Sequence, residues 1–222
     1  ALHLTRFTMH TKELIQACYN GSSEMVNQFS NAVITFLFNI ILMRLAGPNG
    51  VAAITILLYG QFLFNAFYLG FSIGTSPIVG YQYGAGNRKE LKSIYRISFR
   101  FVSISSVIIA FAAVYLSTGI VTIFTDDPKT HALAVTGFGI FAYNFLFSGF
   151  NIASSGFFTA LSDGKSSAII SFCRTLLFTV ISLLVLPRFF GVNGAWLAIP
   201  VAEFVTLLLS IWMHRKYLYR FI

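Results

Sequence analysis

The chain has 222 residues, of which 56% are hydrophobic and only 10% are charged. Soluble domains carry about 25% charged residues, so this composition excludes an ordinary soluble domain. The formal net charge of +8 is expected in the loops of a membrane protein, where Lys and Arg set the orientation. It gives no reason to expect a nucleic-acid partner.

Six apolar stretches follow one another along the chain, each near the roughly 20 residues that a helix needs to cross a lipid bilayer. They lie at about 23–46, 50–76, 95–119, 132–158, 165–186 and 193–213. Short runs separate them: "GPNG" (47–50), "GAGNRKE" (84–90), "TDDPKT" (125–130), "SDGK" (162–165) and "PRFFGVNG" (187–194). Such short loops join antiparallel neighbours. The predicted fold class is therefore an all-α membrane protein with six transmembrane helices in three hairpins.

Lys and Arg are concentrated on one side of this arrangement. That side contains the N-terminal segment, the loop before the third stretch with Arg88, Lys92, Arg96 and Arg100, then Lys165 and the C-terminal tail. Because cytoplasmic loops carry an excess of Lys and Arg, both termini are expected in the cytoplasm. The four-residue spacing from Arg88 to Arg100 predicts one basic helix face. We favour a solvated or headgroup-facing role for it over contact with a substrate.

Two glycine-containing features punctuate the apolar stretches. "GPNG" and "GVNG" (191–194) both place G-x-N-G at a predicted outer turn, which fits either an ancient repeat or independent use of the same turn chemistry.

Pro77 lies near the end of the second stretch. It predicts a bend in that helix or simply its end, and both interpretations stay open.

Several longer segments, in this order, resemble one family of membrane transporters. They are "NGSSEMV" (20–26), "LFNIILMRLAGPNGVAA" (37–53), "SPIVGYQYGAGNRKEL" (76–91), "NIASSGFFTALSDGKSSAIISFCRTLLF" (151–178) and "LPRFFGVNGAWLAIPVAEF" (186–204). Their order and spacing over nearly the whole chain are similar to the C-terminal six-helix lobe of the multidrug and toxic compound extrusion (MATE) family.

The resemblance implies an architecture and an activity. Members of this family have two six-helix lobes around a central cavity. They export organic cations and other amphipathic compounds in exchange for Na⁺ or H⁺. We therefore expect a connector at 1–21, a six-helix lobe at 22–216 and a cytoplasmic tail at 217–222, with an N-terminal lobe missing. The resemblance further implies a small-molecule substrate, no cofactor besides the coupling ion, no enzymatic activity and a location in a bacterial inner membrane.

Glu24 is the carboxylate that fits the family's cation site in this lobe. Asn20 and Gln28 are close to it in sequence, and carboxylate, amide and hydroxyl oxygens suit a hard cation such as Na⁺. A partly desolvated carboxylate could take up a proton instead. Equally, Glu24 fits an interfacial residue that reaches water among the headgroups. We expect no other metal site.

The family's cation site also involves the fourth span in some members. There this chain has Tyr143 and Asn144 and no acid, which leaves the identity of the ion open.

Arg174 and Glu203 are ionisable residues near the middle of predicted spans. Each lies about ten residues into its helix, which places both roughly 15 Å deep, near the middle of a hydrocarbon core about 30 Å thick. The two helices are joined by a short outer turn, and isolated buried charges are costly. An ion pair is therefore expected, with a structural or gating role favoured over direct substrate contact.

Three other functions compete with an ion-coupled exporter. A flippase for lipid-linked sugars has the same broad fold but would need many intramembrane Arg and Lys, and only Arg174 is present. A membrane-embedded enzyme would need paired acids or metal ligands at one depth, which the sequence lacks. A non-transporting membrane fragment is the last alternative.

Overall fold

A computed structural model describes the backbone of residues 11–217 and the side chains of Thr11 and of residues 29–217. All regular elements within these residues are helical. They are α1 (Thr11–Gly84), α2 (Arg88–Phe124), α3 (Pro128–Phe141), α4 (Phe145–Ala160), α5 (Gly164–Phe172) and α6 (Phe178–Tyr217). A 3₁₀ turn (Ala142–Asn144) joins α3 to α4, and a π-helical segment (Cys173–Leu177) joins α5 to α6.

Four continuous helical stretches in the described residues are long and apolar enough to cross a membrane. They are Phe29–Gly84, Arg88–Phe124, Pro128–Ala160 and Gly164–Tyr217. The all-α membrane class is confirmed, but the structure has four continuous helical stretches where six separate helices are predicted. The reason is that "GPNG" and "PRFFGVNG", predicted as loops, lie inside α1 and α6.

Side-chain caps explain where the chain does leave the helical path. Asn87 accepts a hydrogen bond from the backbone N–H of Glu90 at the start of α2 (3.2 Å). Asp127 accepts one from Thr130 at the start of α3 (2.8 Å). Asp163 accepts one from Ser166 at the start of α5 (3.2 Å). Such caps replace the missing intrahelical partners of the first turn and fix the helix starts at these loops.

α1 and α6 each consist of two helical segments joined at a kink. The backbone leaves the helical range at Gly47 (φ 64°, ψ −158°) and at Gly191 (φ 54°, ψ −132°). Both are the first glycine of a G-x-N-G run, where the absence of a Cβ permits positive φ. A straight helix over Phe29–Gly84 would be about 84 Å long, far more than the roughly 30 Å of a hydrocarbon core. Phe38 and Ile54, on opposite sides of the Gly47 kink, belong to one core.

The same kind of reversal is visible near Gly191. A Cβ at Gly194 would meet the carbonyl oxygen of Leu186, eight residues earlier, whereas eight residues of straight helix span about 12 Å. By contrast, Pro77 lies inside α1 and the backbone around it keeps helical dihedral angles. It does not end the helix, and the bend predicted there stays a prediction.

The stretch Pro128–Ala160 is the centre of the bundle. Half of its most apolar window is buried inside the protein, against 22% for each of the other three stretches. It contributes three of the largest fully buried side chains, Phe138, Phe141 and Phe145, and these share one core with Phe38 and Trp196. Many large apolar side chains point outward instead, as expected for a surface in contact with lipid.

The predicted domain boundaries at 21/22 and 216/217 coincide with no break in the structure. α1 runs through the first boundary from Thr11, and α6 continues to Tyr217. The connector at 1–21 and the tail at 217–222 extend into residues 1–10 and 218–222, which lie outside the described residues. This division of the chain stays a prediction.

Candidate functional site

The main buried polar site lies between α4, the π-helical segment and α6. We call Asn151, Arg174, Glu203 and Ser210 the polar cluster. Glu203 is only 3% exposed, and Asn151 and Ser210 are fully buried. The Arg174 side chain is 18% exposed. Polar groups buried in this way need hydrogen-bond partners, and the cluster supplies them.

Both carboxylate oxygens of Glu203 accept a hydrogen bond. Nε of Arg174 donates to Oε1 at 2.7 Å. Nδ2 of Asn151 donates to Oε2 at 2.8 Å and to the backbone oxygen of Glu203 at 2.9 Å. The hydroxyl of Ser210 in turn donates to Oδ1 of Asn151 at 3.0 Å. The result is a net-neutral network in which each partner fixes the next.

The backbone around Arg174 is itself unusual. Arg174 lies in the π-helical segment Cys173–Leu177, and the hydroxyl of Thr179 donates to the carbonyl oxygen of Arg174 at 2.8 Å, five residues away. One-turn π segments are frequent at functional positions because they shift the helical register and free backbone groups. Here the segment presents Arg174 to Glu203 on the neighbouring arm of α6.

A second buried polar group joins α1 to α4. The Ser148 hydroxyl donates to Oδ1 of Asn65 at 3.2 Å, and the Tyr68 hydroxyl donates to the carbonyl oxygen of Phe145 at 3.1 Å. Asn65, Tyr68 and Ser148 are all buried. These contacts attach the second arm of α1 (residues 48–84) to the centre of the bundle.

Of the predicted cation or substrate residues, only Tyr143 and Asn144 have described side chains. Asn144 is fully buried, and its Nδ2 donates to the carbonyl oxygen of Phe141 at 2.6 Å. Its Oδ1 has no partner among the described residues. Tyr143, the preceding residue of the same 3₁₀ turn, is 59% exposed. The side chains of Asn20, Glu24 and Gln28 lie outside the described residues, so this group stays a prediction.

The structure places Arg174 and Glu203 in direct contact, at the distance of an ion pair. Their structural or gating role stays a prediction. The sequence alone did not connect Asn151 or Ser210 to Glu203. A polar residue two turns from another on a buried helix face is the signal that could have found Ser210.

His214 is also buried in a way that the sequence did not indicate. Its ring packs against Tyr95, Phe99, Phe150 and Phe158, with ring centroids 4.9 to 5.7 Å apart. Neither ring nitrogen has a partner among the described residues. Within the same residues no group of three or more His, Cys, Asp and Glu could hold a metal ion.

Fold and site together define a multi-pass helical membrane protein with a neutralised charge pair in its interior. The MatE family model matches residues 25–184, which is more than half of the 222 residues. The chain belongs to the MATE family of membrane transporters. A comparison with curated proteins found no match.

Solved structures of MATE transporters and of another MOP superfamily transporter share the fold. An outward-facing multidrug resistance MATE transporter of the MOP superfamily matches with a TM-score of 0.86, 19% identity, and coverage of 99% of this chain and 50% of that one. An inward-facing structure matches with a TM-score of 0.87, 19% identity, and coverage of 97% and 50%. A MOP superfamily transporter from Pyrococcus furiosus, described as having reversed polarity of its binding pocket, matches with a TM-score of 0.84, 19% identity, and coverage of 97% and 49%. The chain therefore spans about half the length of these structures.

Proposed function

We propose that this chain is the C-terminal lobe of a twelve-helix antiporter that exports organic cations and other amphipathic compounds in exchange for Na⁺ or H⁺. The observation that carries the proposal is the family match over residues 25–184, together with a fold that covers half of whole transporters. The missing N-terminal lobe, a small-molecule substrate and the lipid bilayer are the partners that follow. A bacterial inner membrane with both termini in the cytoplasm is the corresponding location.

Rocking between two states is the transport mode that best suits this lobe. The lobe fold matches outward-facing and inward-facing transporters about equally well, with TM-scores of 0.86 and 0.87. A lobe that keeps its internal packing can move as one body against a second lobe. The polar cluster supports this interpretation, because the hydrogen bonds of Asn151 and Arg174 to Glu203 hold α4, the π-helical segment and α6 together.

The charge of the polar cluster favours export of cations or neutral amphipaths over transfer of an anionic headgroup. Arg174 is the one Arg or Lys in the interior of the described bundle, and Glu203 neutralises it. A flippase for lipid-linked sugars would require excess positive charge at such a position, to meet a pyrophosphate.

In this proposal Glu24 binds the coupling ion. The other candidate residues of the cation or substrate site are Asn20, Gln28, Tyr143 and Asn144. The test uses the complete transporter in proteoliposomes, with Na⁺ and H⁺ gradients imposed separately and a fluorescent organic cation as substrate. Glu24→Gln keeps the size of the side chain and removes its charge, so gradient-driven export should fall at least about tenfold while substrate binding persists. Glu24→Asp should retain part of the activity.

Glu90→Gln is the matched control, because Glu90 is an exposed carboxylate in the first turn of α2. It should leave export unchanged within about twofold, as expected for a solvated surface charge. Full gradient-driven export by the Glu24→Gln variant would show that another residue binds the coupling ion. The N-terminal lobe would then be tested next.

A further inference from the structure

The first four turns of α2 carry a row of unpaired basic side chains. Arg88, Lys92, Arg96 and Arg100, which we call the basic face, are all exposed. None of the four side chains has a hydrogen bond or an ion pair to any described residue. The only acidic residue of α2 is Glu90, in its first turn. The basic face therefore carries a net positive charge that the described part of the protein does not neutralise.

The length of α2 places the inner half of this face at the membrane surface. α2 has 37 residues, which is about 56 Å, while the hydrocarbon core is about 30 Å thick. Counting about 20 residues back from the outer end at Phe124 puts the inner boundary near Ile104. Arg100 is then about 6 Å beyond the hydrocarbon, within the headgroup layer. Arg96 reaches the same layer with its long side chain, whereas Arg88 and Lys92 lie about 18 to 24 Å beyond the boundary.

A shallow, open groove is present at this level. It has a volume of about 430 Å³ and is lined by Arg96, Phe99, Arg100, Ser103 and Ile104. Along α2, Arg96 and Arg100 line the groove toward the N-terminal end of the helix, and Ile104, whose side chain is exposed, lines it toward the C-terminal end. The groove is thus amphipathic along the direction in which a lipid would lie.

We propose that this groove is a binding site for one anionic phospholipid of the cytoplasmic leaflet. The phosphate is held by Arg96 and Arg100, since guanidinium groups form charge-assisted hydrogen bonds with phosphate oxygens. The first carbons of the acyl chains lie along Phe99 and Ile104. The site requires both charge and position: Arg88 and Lys92 have the same charge but lie outside the groove and beyond the headgroups. It is independent of the substrate and coupling ion proposed above.

The test measures stabilisation of the complete transporter by added lipid. Purified protein in a neutral detergent is titrated with phosphatidylglycerol or phosphatidylcholine, and the apparent affinity is read from the shift in thermal unfolding. Phosphatidylglycerol should stabilise the protein more than phosphatidylcholine. In Arg96→Gln/Arg100→Gln its apparent affinity should fall about tenfold or more, because each surface cation contributes to the attraction of an anionic lipid.

Arg88→Gln/Lys92→Gln is the matched control, since it removes the same charge from the same helix face. It should change the affinity for phosphatidylglycerol by less than about threefold. Equal losses in the two double variants would show a general electrostatic effect and overturn the site. No loss in Arg96→Gln/Arg100→Gln would overturn it as well.

Two further arms identify the source of the ligand. Inorganic phosphate and glycerol 3-phosphate are added without lipid, and neither should stabilise the wild-type protein, because both lack acyl chains. Stabilisation by either one equal to that by phosphatidylglycerol would mean a soluble anion site and contradict the proposal. A loss of stability in Arg96→Gln/Arg100→Gln that is equally large in phosphatidylcholine would show instead that another part of the complete protein covers the groove.

Discussion

The polar cluster and the basic face hold charge in opposite ways. In the cluster, Arg174 and Glu203 are 2.7 Å apart, and the second carboxylate oxygen is occupied by Asn151. On the basic face, Arg96 and Arg100 are exposed and lack described partners. The difference follows from the solvent: inside a bundle an uncompensated charge is costly, so charge is kept only as a hydrogen-bonded pair. At the headgroup layer, single charges are tolerated because water and lipid phosphates can neutralise them.

Breaking the buried pair should give the largest effect. Glu203→Lys places two cations side by side in the bundle, and Arg174→Glu places two carboxylates there. Each should lower the free energy of unfolding of the complete transporter by about 3–5 kcal/mol, because the remaining charge is left buried and uncompensated. The measurement is the fraction of monodisperse protein after heating in detergent.

The exchange Arg174→Glu with Glu203→Arg should recover part of that loss, since it restores a neutral pair. Arg188→Glu, a charge reversal at an exposed position on α6, is the control and should have little effect. A double variant no more stable than either single variant would mean that the contact does not contribute as a pair.

Removing an outer member of the cluster should give a moderate effect. Ser210→Ala deletes the hydroxyl that donates to Oδ1 of Asn151 at 3.0 Å, which leaves a buried acceptor unsatisfied. We expect a loss of about 1–2 kcal/mol in the free energy of unfolding.

Thr206→Val is the comparison for that change, one turn away on the same helix. Thr206 is equally buried, but its hydroxyl bonds only the carbonyl oxygen of Ala202 in its own helix (2.7 Å). This variant should lose less than half as much stability. Similar losses at both positions would indicate that packing, and not the network around Glu203, determines the cost.

An exposed charge that caps a helix should give the smallest effect. Hydrogen bonding from Thr130, chiefly from its backbone N–H, lowers the pKa of Asp127 below its ordinary value. A lowered pKa in the folded state means that the stabilisation is fully present above the unfolded-state pKa and is lost as the pH falls through the folded-state value. The thermal stability of wild type should therefore decline slightly more than that of Asp127→Asn between neutral pH and about pH 3. An identical decline in both proteins would show that the charge of Asp127 adds nothing beyond its hydrogen bond.

Some of the architecture could be read from the sequence with good accuracy. The apolar stretches, the loops at 84–90, 125–130 and 162–165, and the membrane class depend on local composition and on capping residues such as Asn87, Asp127 and Asp163. Such signals act within one turn of helix, so they can be recognised without knowing which residues pack against that turn. At "GPNG" and "GVNG" the backbone leaves the helical range only at Gly47 and Gly191, so the structure has a kink within a continuous helical stretch where composition predicts a loop.

The sequence by itself determined that this chain is an all-α membrane protein, and it predicted the contact between Arg174 and Glu203 that the structure contains. These properties follow from hydropathy and from the rise per residue of a helix, which do not depend on packing. Only the tertiary structure decided that Asn151 and Ser210 complete the network around Glu203 and that Arg96 and Arg100 share a groove with Ile104. Such arrangements depend on the rotation of each helix about its axis and on its neighbours, and these are set by the packing of side chains far apart in the sequence.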